Sequence, residues 1–269
     1  MRAAMRRAAI ALLAALYLAS LAAPWFAPAG YAAQFRETLN TPPSRTFLLG
    51  TDELGRDSFA RLLYGTRVSL TLAPAAALIS TALAAIVGIA ADFAGGWGEA
   101  CLMRVTDLFL SIPWLFLLLA VRAALPLNVP AAESVAITFL LLGLLGWAGP
   151  ARIVRAAARE IKREDYMLQA RARGCPPLRL LARHLVPNLR PVLVAQFWTS
   201  VPVFILSEAN LGFLGLGVVE PLPSWGNLLA GLQNLDGVAA CPWRVAPLVL
   251  LLVVMACFHL AVPMEDFSK

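Results

Sequence analysis

Six apolar blocks separated by polar runs leave this chain little choice of architecture. They cover 8–26, 68–91, 106–124, 135–149, 191–207 and 245–262, and a helix needs about 20 apolar residues to cross the hydrocarbon core of a bilayer. Water is absent there, so every backbone N–H and C=O must pair within its own segment, and the blocks are expected to be helices. Composition agrees. With 60% apolar residues, 14% charged ones and a mean hydropathy of +0.74, the chain lies far from soluble domains, in which about a quarter of residues are charged. The expected fold is an all-α membrane protein with six transmembrane helices.

Between the fourth and fifth blocks lies a polar island, residues 150–190. Ten basic residues (Arg152, Arg155, Arg159, Lys162, Arg163, Arg171, Arg173, Arg179, Arg183 and Arg190) stand against Glu160, Glu164 and Asp165, a surplus of +7 that exceeds the formal +6 of the whole chain. Basic loops stay on the cytoplasmic side of a membrane, so the island is placed inside, as is the N-terminus with Arg2, Arg6 and Arg7. The layout that follows is 1–7 inside, 8–26 as the first crossing, 27–66 as an extracytoplasmic loop, 67–262 as the core and 263–269 as a cytoplasmic tail. Tyr166 is the only aromatic residue among the island's basic ones. Binders of single-stranded nucleic acid interleave aromatic platforms with their charge, so nucleic acid is not the expected partner.

Within the island, Arg152 to Arg173 is rich in helix formers and Gly174 is placed to stop that helix in a left-handed cap. Pro176 and Pro177 suit the first turn of a new helix, where a missing N–H had no partner anyway. The new helix is expected to run from Leu178 to Val186 and to close at Pro187, because the residue before a proline is pushed out of the α region. Leu178, Leu181, Ala182 and Leu185 then share an apolar face with Arg179 and Arg183 along its edge. Two readings fit such a helix: a knob for a partner's groove, or an amphipathic helix lying on anionic membrane lipid.

Elsewhere the signals are simpler. The first block follows arginines and is trailed by Ala32 and Ala33, so a cleaved signal peptide competes with a retained crossing. A charged helix start is expected at Asp57. Block three contains Pro113, and Arg122 near its outer end can snorkel to headgroups. Block four should bend at Gly149 and Pro150. In block five Gln196, Thr199 and Ser200 share a face that turns from lipid, either to line a solute path or to bond neighbouring helices. Cys101, Cys175, Cys241 and Cys257 form no CxxC, and only Cys241 would face the oxidising side, so no disulfide is expected. His184 and His259 cannot make HExxH or a triad; His184 is expected at a helix cap or partner contact and His259 in a bond between helices. Neither Lys162 nor Lys269 follows a Gly, so no phosphate loop of the Walker type is present. A proton- or sodium-driven carrier would place carboxylates or His at mid-membrane, and blocks one, two, four and five have none in their centres.

Several motifs in order along the chain then carry a resemblance. The runs LGTDELGRDSFARLLYGTRVSL from Leu49 and EANLGFLGLG from Glu208, the latter followed by Pro223-Ser224-Trp225-Gly226, resemble segments of the ABC importer permeases of the dipeptide and oligopeptide type. GGWGEACLMRVTD resembles that family's link between its second and third helices. In the island Tyr166, Ala170, Gly174, His184, Pro187 and Asn188 match its cytoplasmic coupling loop, whereas Leu168 and Gln169 stand where Glu and Ala are usual. Gly212 departs from the family's Ser, and the tail FHLAVPMEDFSK from its usual ending. The resemblance covers about residues 45–230.

It implies a type I ABC importer permease fold with a cytoplasmic coupling helix, in the bacterial inner membrane. This chain would hold no cofactor, metal or catalytic residue. ATP and magnesium would sit on two separate ATP-binding subunits, beside a sister permease subunit in a heterodimer and an extracytoplasmic solute-binding protein. Docking to the ATPase would fall to Ala170, Gly174, Pro176, Pro177, Leu178, Leu181, Leu185 and Pro187, with Leu178, Leu181 and Leu185 as buried anchors. The solute implied is a short peptide; relatives of this type also carry nickel chelates and other small solutes.

Overall fold

The computed structural model describes residues 2–126, 128–233 and 241–261; the end of block six and the 263–269 tail lie outside them. The described residues form no β-strand beyond a single bridge between Thr51 and Asp57. Their helices are α1 (Arg2–Leu21), α2 (Ala23–Phe26), α3 (Ser58–Ala94), α4 (Gly96–Ser111), α5 (Trp114–Ala124), α6 (Ala131–Leu145), α7 (Ala148–Ile161), α8 (Asp165–Ala172), α9 (Pro177–Leu180), α10 (Val186–Phe213), α11 (Trp225–Ala230) and α12 (Ala246–Ala261). Five helical runs are long and apolar enough to cross a membrane: 4–21, 58–94, 131–161, 177–213 and 242–261. The pair α4 and α5 makes a sixth if counted as one bent span. The chain is an all-α membrane protein.

The third block is therefore not a straight crossing. Ile112 precedes Pro113 and is extended (φ −87°, ψ 125°), as proline demands of its predecessor, and α5 leaves α4 at 87°. The interruption expected at Gly149 and Pro150 falls earlier, at Gly146 and Trp147, since Pro150 sits in the first turn of α7, where its lost donor costs nothing. The expected start at Asp57 is found: its carboxylate caps α3 by accepting from Phe59 N at 2.9 Å. Nine residues assigned to the preceding loop, 58–66, belong to this helix.

The core forms around α3. Its buried side is a row of small residues, Ala73, Ala77, Ser80, Ala84, Gly88 and Ala91, which lets neighbouring backbones approach closely, as helices packed in lipid require. At Gly88 a Cβ would stand 2.7 Å from Ala151 O of α7. The main apolar cluster joins this face to Leu118, Phe139, Leu142, Val201, Phe204 and Ile205, and reaches α12 through Val254 and Phe258. A second, smaller cluster at the island end holds Val154, Ala158, Met167, Leu180, Leu185 and Leu189.

At the opposite end α11 folds back between α3 and α10. Trp225 is fully buried and its Nε1 donates to Thr66 Oγ1 at 3.1 Å. Gly226 N donates to the buried carboxylate of Glu208 at 3.3 Å. Gly212 makes this crossing possible, because a Cβ there would run into the backbone of Gly226. An ion network closes the same end: Arg61, 3% exposed, grips Glu220 through Nη1 and Nη2 at 3.1 and 2.7 Å, and Arg56 reaches the same carboxylate at 2.7 Å. Arg244 bridges to Glu53 at 3.0 Å.

Arg122 corrects an expectation. It does not snorkel but is fully buried, donating to Pro126 O and Ser134 Oγ, both at 3.3 Å. His259 lies on the exposed face of α12 instead of between helices. The four cysteines are free thiols.

Candidate functional site

The island folds as a helical stem that turns back on itself. The helix expected from Arg152 to Arg173 is broken after Ile161, where Arg163 N and Glu164 N close a turn on Glu160 O and Ile161 O. This lets α8 tuck Met167 under α7, where it is fully buried. At the end of α8, Gly174 has φ +75°; its N–H donates to Arg171 O at 2.9 Å and that of Cys175 to Ala170 O at 3.1 Å. Those two bonds are the Schellman pattern, which satisfies carbonyls the helix leaves orphaned. Pro176 then caps and Pro177 starts α9.

Pro187 does not end the next helix. Residues Leu181–Leu185 widen into a π-helical turn, and the chain continues as helix through Pro187 and Pro191 to Phe213. A π turn already forgoes the i→i−4 pattern that a proline would break. It also holds more residues than an α turn, so it rotates the faces on either side of it apart.

Consequently the three leucines expected on one face part company. Leu185 is fully buried in the chain's own second cluster and Leu178 is 79% exposed; Leu181 is half-buried against that cluster. Leu180, which the periodicity did not single out, is buried instead. The exposed strip is Leu178, Arg179, Ala182 and Arg183, flanked by Gly174, Pro176, Pro177 and Pro187. Tyr166 and Leu168 are also largely exposed nearby, and partial desolvation, then the Glu164 carboxylate, pushes the Tyr166 phenol above its ordinary value.

The basic residues of α7 are not free. Arg152, Arg155, Arg159 and Lys162 recur at i, i+3, i+7 and i+10, one helix face; α4 runs antiparallel beside the first three, and Asp92 at the end of α3 lies beside the last. Arg152 meets Asp107 at 3.4 Å, and the Arg155 Nε donates to Glu99 at 2.6 Å. Arg159 also meets Glu99, and Lys162 reaches the Asp92 carboxylate at 2.6 Å and its carbonyl at 2.9 Å. Lys162 further stands over the Phe93 ring at 3.9 Å. The outermost pair is 55% and 52% exposed, whereas Asp92 and Glu99 are 5% and 14% exposed. Solvent screening leaves an exposed pair about 0–1 kcal/mol, so the inner rungs carry the ladder. Charge counting alone missed it; the signal was the matching order of Asp92, Glu99 and Asp107 against the four bases.

Gln196, Thr199 and Ser200 are brought together as expected. They line an open cavity of about 400 Å³, whose walls include Ile112, Pro113 and Trp114 at the bend between α4 and α5 and Gly146, Gly149 and Pro150 at the interruption between α6 and α7. Thr199 spends its hydroxyl on Ala195 O of its own helix, at 2.9 Å. Gln196 also borders a second cavity of about 460 Å³ toward the island, whose wall includes Arg155, Arg159 and Glu160. Among the described residues no group of three or more His, Cys, Asp or Glu could hold a metal ion.

Several bilayer-length helices around a buried charged group, with a basic stem presented beyond one end, make this a multi-pass membrane protein. Residues 69–263 match the family of binding-protein-dependent transport system inner membrane components, and this chain belongs to that family. It is 32% identical over 230 residues to the oligopeptide transport system permease protein OppC of Bacillus subtilis, covering 86% of this chain and 73% of that protein. With the di/tripeptide transport system permease protein DppC of Pseudomonas aeruginosa it shares 37% identity over 245 residues, 88% and 78% of the two chains. With the oligopeptide transport system permease protein OppC of Mycobacterium tuberculosis it shares 34% over 261 residues, 94% and 87%. The fold is accordingly the type I ABC importer permease fold.

Proposed function

We propose that this chain is one permease subunit of an ATP-driven importer that moves short peptides delivered by an extracytoplasmic binding protein. The supporting observation is the strip Leu178, Arg179, Ala182 and Arg183, held out from the molecule on a stem whose inner side, Leu180, Leu185 and Leu189, is buried in the chain's own core. An apolar residue between arginines on a rigid helix is suited to a groove in a partner, and a rigid stem passes displacement on. In this reading the island and both termini are cytoplasmic and two ATP-binding subunits, with magnesium and ATP, grip the strip. A sister permease completes a heterodimer, and the state of the pair is set by nucleotide binding one arrangement better than the other. Ala170, Gly174, Pro176, Pro177 and Pro187 set the angle of the stem. Leu178 is its apolar anchor, while Leu181 and Leu185 brace it from within. The solute would pass along the two cavities that meet at Gln196, with Thr199 and Ser200 beside it. The peptide specificity is taken from the names of the relatives.

Uptake into right-side-out vesicles, or into proteoliposomes with the binding protein outside and ATP enclosed, tests this reading. Peptide transport that stops with vanadate and survives an uncoupler is the expected result. Transport abolished by the uncoupler and indifferent to vanadate would point to a proton-driven carrier instead.

A further inference from the structure

The ion-pair ladder and the cavity belong to one device. Two helix interruptions, at Ile112 and Pro113 and at Gly146 and Trp147, wall the same cavity. The arms beyond them, α4 and α7, both reach the island end, and there Glu99 of α4 binds Arg155 and Arg159 of α7, while Asp92, in the last turn of α3 just before α4, holds Lys162 at the end of α7. Little else ties α4 to α7. Thr106 is the one buried residue of α4, and Trp97, Val105 and Leu108 are exposed. Above the rungs the ring of Phe109 rests on Trp147 at 5.3 Å, and that of Trp114 stacks with Phe204 at 6.3 Å. The joints are thus filled by rings, which can slide, and the arms are tied by charge, which holds register.

We propose that Glu99 is a positioning residue of the transport step: it fastens α4 to α7, so that a push on the island turns both arms as one body about the two interruptions and reshapes the cavity. This deepens the importer reading and rests on it. Without the rungs, a push delivered to α7 would leave α4 behind, and ATP would be hydrolysed with little solute moved.

The test uses the complete complex in liposomes, measuring solute transported and ATP hydrolysed together. Glu99→Gln, which keeps the shape and removes the charge, is expected to lower solute moved per ATP about tenfold while hydrolysis stays within about twofold. Glu99→Asp, which keeps the charge, should recover a large part of the loss, and Asp107→Asn at the exposed rung should behave as the unaltered chain. A Glu99→Gln complex with an unaltered ratio overturns the proposal. Should that variant fail to assemble, spin labels in the otherwise unaltered complex decide: the distance between positions 105 and 153 should stay constant between nucleotide-free and vanadate-trapped states while that between 105 and 116 changes. Equal changes in both overturn it. An unaltered complex that moves no solute on ATP would instead remove the importer reading itself, and this proposal with it.

Discussion

Leu178 and Leu185 stand seven residues apart on one continuous helical stem, yet the first is 79% exposed and the second fully buried. In an unbroken α-helix, two turns of 3.6 residues would bring them nearly into line. The π turn over Leu181–Leu185 removes that alignment. It divides the stem into an inner brace and an outer strip.

The division predicts opposite outcomes for the same chemical change. Leu178→Asp should leave the amount of chain in the membrane unchanged and abolish uptake while ATP hydrolysis continues uncoupled. Leu185→Asp buries an unpaired carboxylate, a cost of about 4 kcal/mol or more, so the chain should fail to accumulate. Immunoblots of membranes beside uptake assays distinguish the two, and equal behaviour of both variants would contradict the division.

Gly212 is predicted to resist the serine that is usual at its position in the resembled family. Its Cβ would meet Gly226 backbone, which α11 cannot move without disturbing Trp225 and Glu208. Gly212→Ser should destabilise the protein by about 1–3 kcal/mol, the range for overpacking a close contact. The unfolding temperature of the purified complex reports it, and an unchanged value would show that the crossing has room to spare.

At Gly174 the strain is in the backbone. An alanine held at φ +75° costs about 1–2 kcal/mol, and nothing lies within 4 Å of the added Cβ. The Gly174→Ala chain is therefore expected to fold, with the stem angle relaxed and transport per ATP reduced. A variant that keeps full coupling would mean that the angle of the stem does not matter.

Much of this arrangement was legible in the residues. The apolar blocks, the surplus charge of the island, the cap at Gly174, the restart at Pro177 and the shared face of Gln196, Thr199 and Ser200 all follow from local rules of burial, charge and backbone geometry. What was not legible depends on partners distant in the chain. Pro187 reads as a stop until a π turn absorbs it, and Arg122 reads as a snorkelling side chain until Ser134 and the Pro126 carbonyl are found beside it. The bases of α7 read as a cytoplasmic signal because nothing local announces that Glu99 and Asp92 neutralise them.

The central claim is that the strip around Leu178 is where a nucleotide-binding partner grips this chain. A photo-crosslinking amino acid placed at position 178, in the assembled complex in native membranes, tests it most directly. The account predicts a crosslink to an ATP-binding subunit that changes in yield with nucleotide. Crosslinks to lipid alone, or to a protein on the opposite side of the membrane, would contradict it.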